Sequence, residues 1–494
     1  MSRVVVVGAG VGGLAATARL CALGHEVTLV EQAGEVGGKL GTLRRDGFVF
    51  DTGPSLLTLP DVLEELYAAT GAPLSQALPL QRLETACHYR FADGTLLDLP
   101  GDPARIPDAL DAALGTGRGE QWAGLMARAG RIWDITREPF LESPLTTRQM
   151  LRLSYRLGDV ATVAPWRTLR GLAADHLHDP RLRALLDRYA TYTGSDPRRA
   201  PAALVTVPYA EQTFGSWYVP GGLGRLATSL LERVRAQGAQ VLLDTEVVEV
   251  LVHDGRAAGV RLADDSVLEA DVVVANADAA SVYGRLLPGR VARRSARRIR
   301  RTTPSLSGLA LLLAVDDPPE VAHHQVLFAE DYDAEFDAVF GRHGPPRPVE
   351  RPTVYVSAPR DPAVVPEAGT GAWFVLVNAP RHDPRHGVDW DEPGLAEDQA
   401  DRVLDLMAER GLDVRSRVRH RTLVSPADLE RRTLTPGGSI YGTSSNGARA
   451  AFQRPANRSP LPGLYLVGGS SHPGGGLPLV VLSARIVAGL VGPA

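Results

Sequence analysis

Apolar residues fall into two spacings along this chain. Short unbroken runs at Arg3–Val7, Glu26–Val30, Asp271–Ala275 and Leu464–Val467 are rich in β-branched residues and predict strands buried on both faces. Leu306–Val315 is the longest such run. It falls short of the ~18–20 apolar residues a membrane-spanning helix needs, so it predicts another buried strand. Val241–Asp244 reads as a short strand, Thr245–His253 and Arg256–Leu262 as a hairpin turning at Asp254-Gly255, and Thr353–Ala358 and Trp373–Asn378 as further strands. Helical spacing marks Leu14–Leu23, Pro60–Gly71, Leu223–Gln237, Asp398–Glu409 and Leu479–Val491. Strands alternating with helices at both ends predict an α/β fold. Residues 76–204 mix helix-like stretches, among them Arg131–Arg137 and Pro180–Tyr192, with Pro and Gly breaks, and predict a helical insertion over a cavity.

Glycines stand where the first strand meets the first helix: Gly8-Ala9-Gly10-Val11-Gly12-Gly13, with Glu31 closing the next strand. This is the βαβ fingerprint for a dinucleotide. Gly8 permits the tight turn, Gly10 admits a pyrophosphate close to the backbone, and Gly13 lets helix and strand pack closely. The free N–H groups of the helix start face the phosphates, and Glu31 is spaced to accept hydrogen bonds from ribose hydroxyls. The bland alternative is a glycine turn without a ligand. A second strand, glycine loop and helix close the chain, from Gly468-Gly469 to Leu477-Pro478, with Pro near the first turn of a helix.

Composition narrows the picture. The chain has 494 residues, with 44% hydrophobic and 22% charged, so it is a globular protein of two or three domains rather than a disordered or fibrous one. A formal charge of −4 gives no sign of a nucleic-acid partner. Cys21 and Cys87 are too few for a disulfide scaffold or a cysteine metal site. Lys39 is the sole lysine among 53 basic residues, so any lysine chemistry rests on it. His323-His324 and His176-x-His178 read as surface histidines, and no metal is expected. Arg293, Arg294, Arg297, Arg298, Arg300 and Arg301 gather on one helical face, either a solvated surface or a contact for anionic lipid. The Met-Ser-Arg start runs straight into a strand, so the expectation is a cytoplasmic protein, free or peripheral at the inner face of the cell membrane.

Glu35-Val36-Gly37-Gly38-Lys39-Leu40-Gly41-Thr42 extends the fingerprint in a way that resembles FAD-dependent oxidoreductases of the amine-oxidase and phytoene-desaturase superfamily. Phe48 to Ser55, Trp217 to Gly222, Ala270 to Asp278, the Phe452–Arg458 segment and above all Gly468 to Pro478 resemble bacterial carotenoid desaturases of the phytoene desaturase family. The resemblance implies a Rossmann-like FAD-binding domain with a discontinuous α+β substrate domain and a helical lid. It divides the chain into FAD-binding parts at 1–75, 205–288 and 431–494, the insertion at 76–204, and a substrate sheet at 289–430. It puts Gly38 and Lys39 along the FAD phosphates, Gly53, Pro54 and Ser55 beside the isoalloxazine ring, Val247 at the adenine, and Gly468, Gly469, Leu477 and Pro478 at the flavin edge. A basic loop at Lys39 and an ordinary turn at Asp51–Ser55 are the plain alternatives.

The implied activity removes two hydrogens from an apolar polyene, one as hydride to flavin N5 and one as a proton. Glu211 and His472 are the candidate proton acceptors. A solvated or ion-paired acid and a structural loop histidine are their bland readings, and loss to water is a third route. Competing functions are a flavin amine oxidase, a flavin oxidoreductase or oxygenase acting on another isoprenoid, and a prenyl-binding escort protein. Amine oxidases of this fold usually keep a lysine near flavin N5, and here only Lys39 exists. The resemblance implies a phytoene desaturase or a hydroxycarotenoid 3,4-desaturase, and the Gly468–Gly476 run leans toward the latter type; which carotenoid, the number of desaturation steps, the final electron acceptor and the oligomeric state stay open.

Overall fold

The computed structural model describes residues 1–146, 157–447 and 450–494. Residues 147–156, inside the expected insertion, lie outside the described residues. Five parallel strands form the first sheet, in the order Leu464–Leu466, Val272–Ala275, Arg3–Val7, Glu26–Val30 and Gln240–Leu242. Three distant stretches of sequence thus build one Rossmann-like layer. The helix Val11–Ala22 packs on it between the helices Arg225–Ala236 and Leu477–Val491. Leu14, Ala15, Leu20, Leu230 and Val487 are fully buried there. Burying each large aliphatic side chain contributes roughly 2 kcal/mol.

The second sheet has seven strands, in the order Val418–Val424, Ser307–Asp316, Thr370–Ala379, Val354–Ser357, His324–Leu327, Thr85–Arg90 and Leu96–Pro100. Ser307–Asp316 is buried on both faces, as its unbroken apolar run requires. Leu309, Leu311, Leu313 and Val315 join one cluster, and Ala310, Leu312 and Ala314 join another on the opposite face. The insertion is not purely helical. The hairpin Thr85–Pro100 gives this sheet its last two strands, Thr85–Arg90 pairing in parallel with His324–Leu327. Helical periodicity was the wrong guide there because Ala86, Cys87, Tyr89, Leu97 and Leu99 are buried by a sheet partner more than 200 residues away in sequence. The helices Ile106–Leu114, Arg118–Thr136 and Pro180–Arg188 pack over that hairpin through Leu110, Trp122, Leu125 and Leu185.

His324 is fully buried and His323 half-buried, which corrects their reading as surface residues. His324 Nδ1 meets the Tyr355 hydroxyl at 2.8 Å, and burial holds its pKa well below the usual histidine value. His176 is half-buried and His178 exposed.

Asp51 ties the first segment of the chain to the middle one. Its carboxylate accepts from the backbone N–H groups of Leu223 and Gly224 at 2.7 and 2.9 Å, just before the helix Arg225–Ala236. Burial outweighs those two bonds and lifts its pKa from 3.8 to about 6. A carboxyl raised on folding takes up a proton as the chain folds, so its contribution to stability is greatest below the unfolded value and falls as pH rises through the folded one. Asp51→Asn is therefore expected to flatten the decline in stability between pH 3.8 and about 6, read as urea midpoints across that range. An unchanged profile would assign the decline to other groups.

Candidate functional site

A cavity of about 490 Å³ opens at the carboxyl ends of the parallel strands and continues over the inner face of the seven-stranded sheet. That is where an open α/β sheet binds its ligand. Gly8, Gly10, Glu31, Gly38, Lys39, Gly53, Pro54, Ser55, Val247, Gly468, Gly469, Leu477 and Pro478 all line it. Gly13 lies behind the lining, where a Cβ would collide with the Gly8 carbonyl.

The nucleotide end is a cradle without room for side chains. A Cβ on Gly10 would sit 2.8 Å from the Asn276 amide nitrogen, and one on Gly12 or Gly468 would sit 2.7 or 2.6 Å from its oxygen. The helices Val11–Ala22 and Leu477–Val491 both begin here. Gly10 and Gly476 precede them, and neither helix start carries a side-chain cap. Two sets of uncapped N–H groups thus face one cavity, the donor set that phosphates and an anionic ring edge call for. The Glu31 carboxylate accepts from Ala9 N at 2.6 Å and Ala33 N at 3.0 Å, leaving lone pairs on both oxygens. These residues fit FAD: Glu31 would hold the ribose, the glycine loop and first helix start the pyrophosphate, and the last helix start the flavin ring.

Lys39 lines the cavity beside Gly38 and is also anchored from behind. Its Nζ donates to the carbonyls of Ser439 and Ile440 at 2.7 and 2.8 Å. Burial pushes its pKa down to about 8. The ammonium joins the Gly37–Gly41 loop to the Ser439–Ile440 stretch.

The C-terminal motif is held from behind. Arg454 is buried and donates to the carbonyls of Tyr441, Gly469 and Thr443, and burial lowers its pKa to about 10. Asn457 Nδ2 donates to the carbonyls of Leu466 and His472. The arginine and asparagine of the Phe452–Arg458 segment thus fix the loop that presents Gly468–Pro478.

Glu211 and His472 do not line the cavity. Glu211 is buried and accepts from the hydroxyls of Tyr189 and Tyr192 at 2.7 and 2.9 Å. Tyr192 stands between it and the cavity wall. His472 is fully buried, its Nε2 donating to the Ser143 carbonyl at 3.0 Å and its ring edge-on to Phe140. Burial pushes its pKa down to about 4, so it stays neutral at physiological pH instead of titrating there.

The floor of the cavity comes from one transverse row of the second sheet. Val424, Ala310, Leu376, Tyr355 and Val326 are successive cross-strand partners, and all five line the cavity. At about 4.8 Å per strand the row spans roughly 19 Å. Ser55 bonds Tyr355 across the cavity at 2.7 Å, which places the Gly53–Ser55 loop over this floor. Sequence reasoning gave no site role to Asn276, Tyr355, Arg188 or Arg454, although Asn276 and Arg454 lie in segments that carry the resemblance. Of these, Asn276 was the most findable, since it follows directly on a buried parallel strand.

Residues 11–492 match the family described as flavin containing amine oxidoreductase. A 4,4'-diapolycopene oxygenase of Methylomonas sp is 34% identical, over 98% of this chain and 97% of its own. A hydroxyneurosporene desaturase of Rubrivivax gelatinosus is 35% identical, over 98% of this chain and 92% of its own. Among solved structures, an oxidoreductase from Methanosarcina mazei superposes with a TM-score of 0.61 at 18% identity, covering 98% of both chains. Cyclohexylamine oxidase from Brevibacterium oxydans superposes with a TM-score of 0.62 at 16% identity, covering 99% of this chain and 98% of its own.

Glu31→Ala should purify with its flavin largely lost, the apparent Kd rising at least about tenfold for two missing charge-assisted hydrogen bonds. Flavin absorbance per protein after gel filtration measures it. Full occupancy in the variant would remove Glu31 from the ribose site.

Proposed function

Because the chain belongs to the flavin-containing amine oxidoreductase family and takes FAD as its cofactor, we propose that it is a desaturase of an apolar carotenoid polyene. The observation that carries this reading is full-length similarity to proteins that act on such polyenes. A 1-hydroxycarotenoid 3,4-desaturase of Flavobacterium, 30% identical over 99% of both chains, is a further example. FAD, when bound, supplies a hydride acceptor. The protein supplies the rest. The row from Val424 to Val326 gives a flat apolar floor on which a rigid chain lies extended. Ser55 and Tyr355 bond each other, so neither competes for water at the reacting face. The insertion contributes Arg188, Thr191 and Tyr192 to the wall facing this floor, and a chain held between the two has its C–H bonds oriented before reaction.

Amine oxidation is disfavoured by one contact. The sole lysine is held by the carbonyls of Ser439 and Ile440. No second lysine is available to approach a flavin nitrogen.

The same reading extends to a membrane surface, where a water-insoluble polyene resides. No helix among the described residues is long and apolar enough to cross a membrane. The helix Gly289–Ile299 and the two residues after it expose Arg290, Arg293, Arg294, Arg297, Arg298, Arg300 and Arg301. Among the described residues, none of the seven has a carboxylate within 4.0 Å, although arginines elsewhere are widely paired, as Arg351 is with Glu330 and Glu409. Arg298 donates to the carbonyl of Phe452, an exposed aromatic beside this ridge. Unpaired cations flanking an exposed ring are the parts of an anionic-lipid contact.

Two measurements test the reading. Incubating the FAD-loaded enzyme with phytoene, lycopene or a 1-hydroxy-carotenoid in liposomes should lengthen the chromophore of at least one, with a product lighter by two hydrogens per step. Gain of oxygen would assign the chain to the oxygenases instead. Sedimentation with anionic vesicles should fall at least about tenfold when Arg293, Arg294, Arg297 and Arg298 become glutamine. Unchanged sedimentation would place the membrane contact elsewhere.

A further inference from the structure

Most polar side chains on the polyene side of the cavity are engaged with the protein. Ser55 meets Tyr355, Tyr192 donates to Glu211, and Asn378 donates to the buried Glu335 at 2.7 Å. Two groups on that wall keep donors unused. Arg188 is buried and lines the cavity, its guanidinium lying 5.1 to 5.5 Å from the ring centres of Tyr89, Tyr189 and Tyr192. It donates through Nη1 to the Tyr89 hydroxyl at 2.9 Å and through Nη2 to the Tyr192 hydroxyl at 2.8 Å. A guanidinium has five N–H donors. Among the described residues, no further acceptor lies within hydrogen-bond distance of it. Tyr332 lines the same cavity, and its hydroxyl is without a hydrogen-bond partner among the described residues.

A wholly hydrocarbon occupant would strand these donors in a dry cavity, which is unfavourable for a charged group above all. An oxygen atom on the occupant would complete them. The charge of that oxygen follows from the wiring behind it. Tyr192 accepts from Arg188 and donates to Glu211, so the guanidinium already has a buried counter-charge one hydroxyl away. A second anion would leave the cluster with excess negative charge in a low-dielectric site. A neutral acceptor leaves it balanced.

Resting on the desaturase reading above, we propose that Arg188 and Tyr332 form a subsite for an uncharged oxygen function, a hydroxyl or a carbonyl, carried by the polyene. Oxygenated polyenes are then the preferred substrates over pure hydrocarbons. Tyr89 and Tyr192 act as positioning residues, holding the guanidinium plane, and Glu211 serves as its counter-charge rather than as a group that meets substrate.

The test is equilibrium binding to the FAD-loaded protein, without turnover, of lycopene, its 1-hydroxy derivative and a terminal-aldehyde derivative. All three are presented in the same neutral vesicles, and flavin difference spectra report occupancy. Wild type should bind at least one oxygenated polyene about thirtyfold tighter than lycopene, as expected for a hydrogen bond to a charged donor. Tyr332→Phe keeps the ring that packs on Phe328 and Phe336, and should reduce that ratio about fivefold. Arg188→Met should abolish the ratio, provided flavin content and Tm show it folded. Equal affinity for all three polyenes in wild type overturns the subsite and leaves the desaturase reading standing. Failure of all three to bind the flavin-loaded protein overturns both.

Discussion

The structure depends on an absence of Cβ atoms at one point. The turn from Gly8 to Gly13, the end of a parallel strand at Asn276 and the turn at Gly468 come together so closely that a methyl group at Gly10, Gly12 or Gly468 would press into the Asn276 amide. Three segments separated by hundreds of residues meet there, and their closeness opens two helix starts onto one space. A fold assembled this way cannot form its ligand cradle locally. The first strand, helix and strand give the turn, but Asn276 and Gly468 arrive from the middle and end of the chain, and the sheet order sets them side by side.

From that cradle the cavity continues onto a sheet floor, and the change in chemistry along it is sharp. Backbone N–H groups and Glu31 dominate one end. Val424, Ala310, Leu376 and Val326 dominate the other. Between them, side chains with titratable or polar character are mostly tied down: Ser55 to Tyr355 and Tyr355 to His324. Lys39 and Arg454 are likewise engaged by main-chain carbonyls, and burial lowers the pKa of each. Buried polar groups that already hold partners do not attract water into a hydrocarbon site. Arg188 departs from that pattern, and its free donors give the apolar cavity a polar address.

The sequence was a good guide where one short segment carries its own physics. The Gly8–Gly13 turn, Glu31 and the Gly468–Pro478 loop were legible because each needs a particular residue type for a local reason: close backbone approach, a strand-end acid, or a glycine loop running into a proline-started helix. The buried strand Ser307–Asp316 was legible because burial on both faces leaves an unbroken apolar run. Legibility failed where a partner decides the outcome. Thr85–Pro100 became a hairpin because His324–Leu327 offers it an edge. His472 resembles a titrating residue in a glycine loop, yet Phe140 and the Ser143 carbonyl enclose it. Arg188 sits in an ordinary helical stretch, and although Tyr189 and Tyr192 follow it closely, nothing nearby in sequence signals that Tyr89 joins them around it at the cavity wall.

Everything proposed for this protein needs the glycine cradle to hold FAD against a polyene lying on the sheet floor. The most direct measurement is an anaerobic mixing experiment, in which the yellow protein meets a polyene in vesicles and the flavin's visible absorption is followed. The flavin should bleach while the polyene band moves to longer wavelength, in equal stoichiometry per step. A flavin that stays oxidised with every polyene, yet bleaches with a simple amine, would contradict that arrangement.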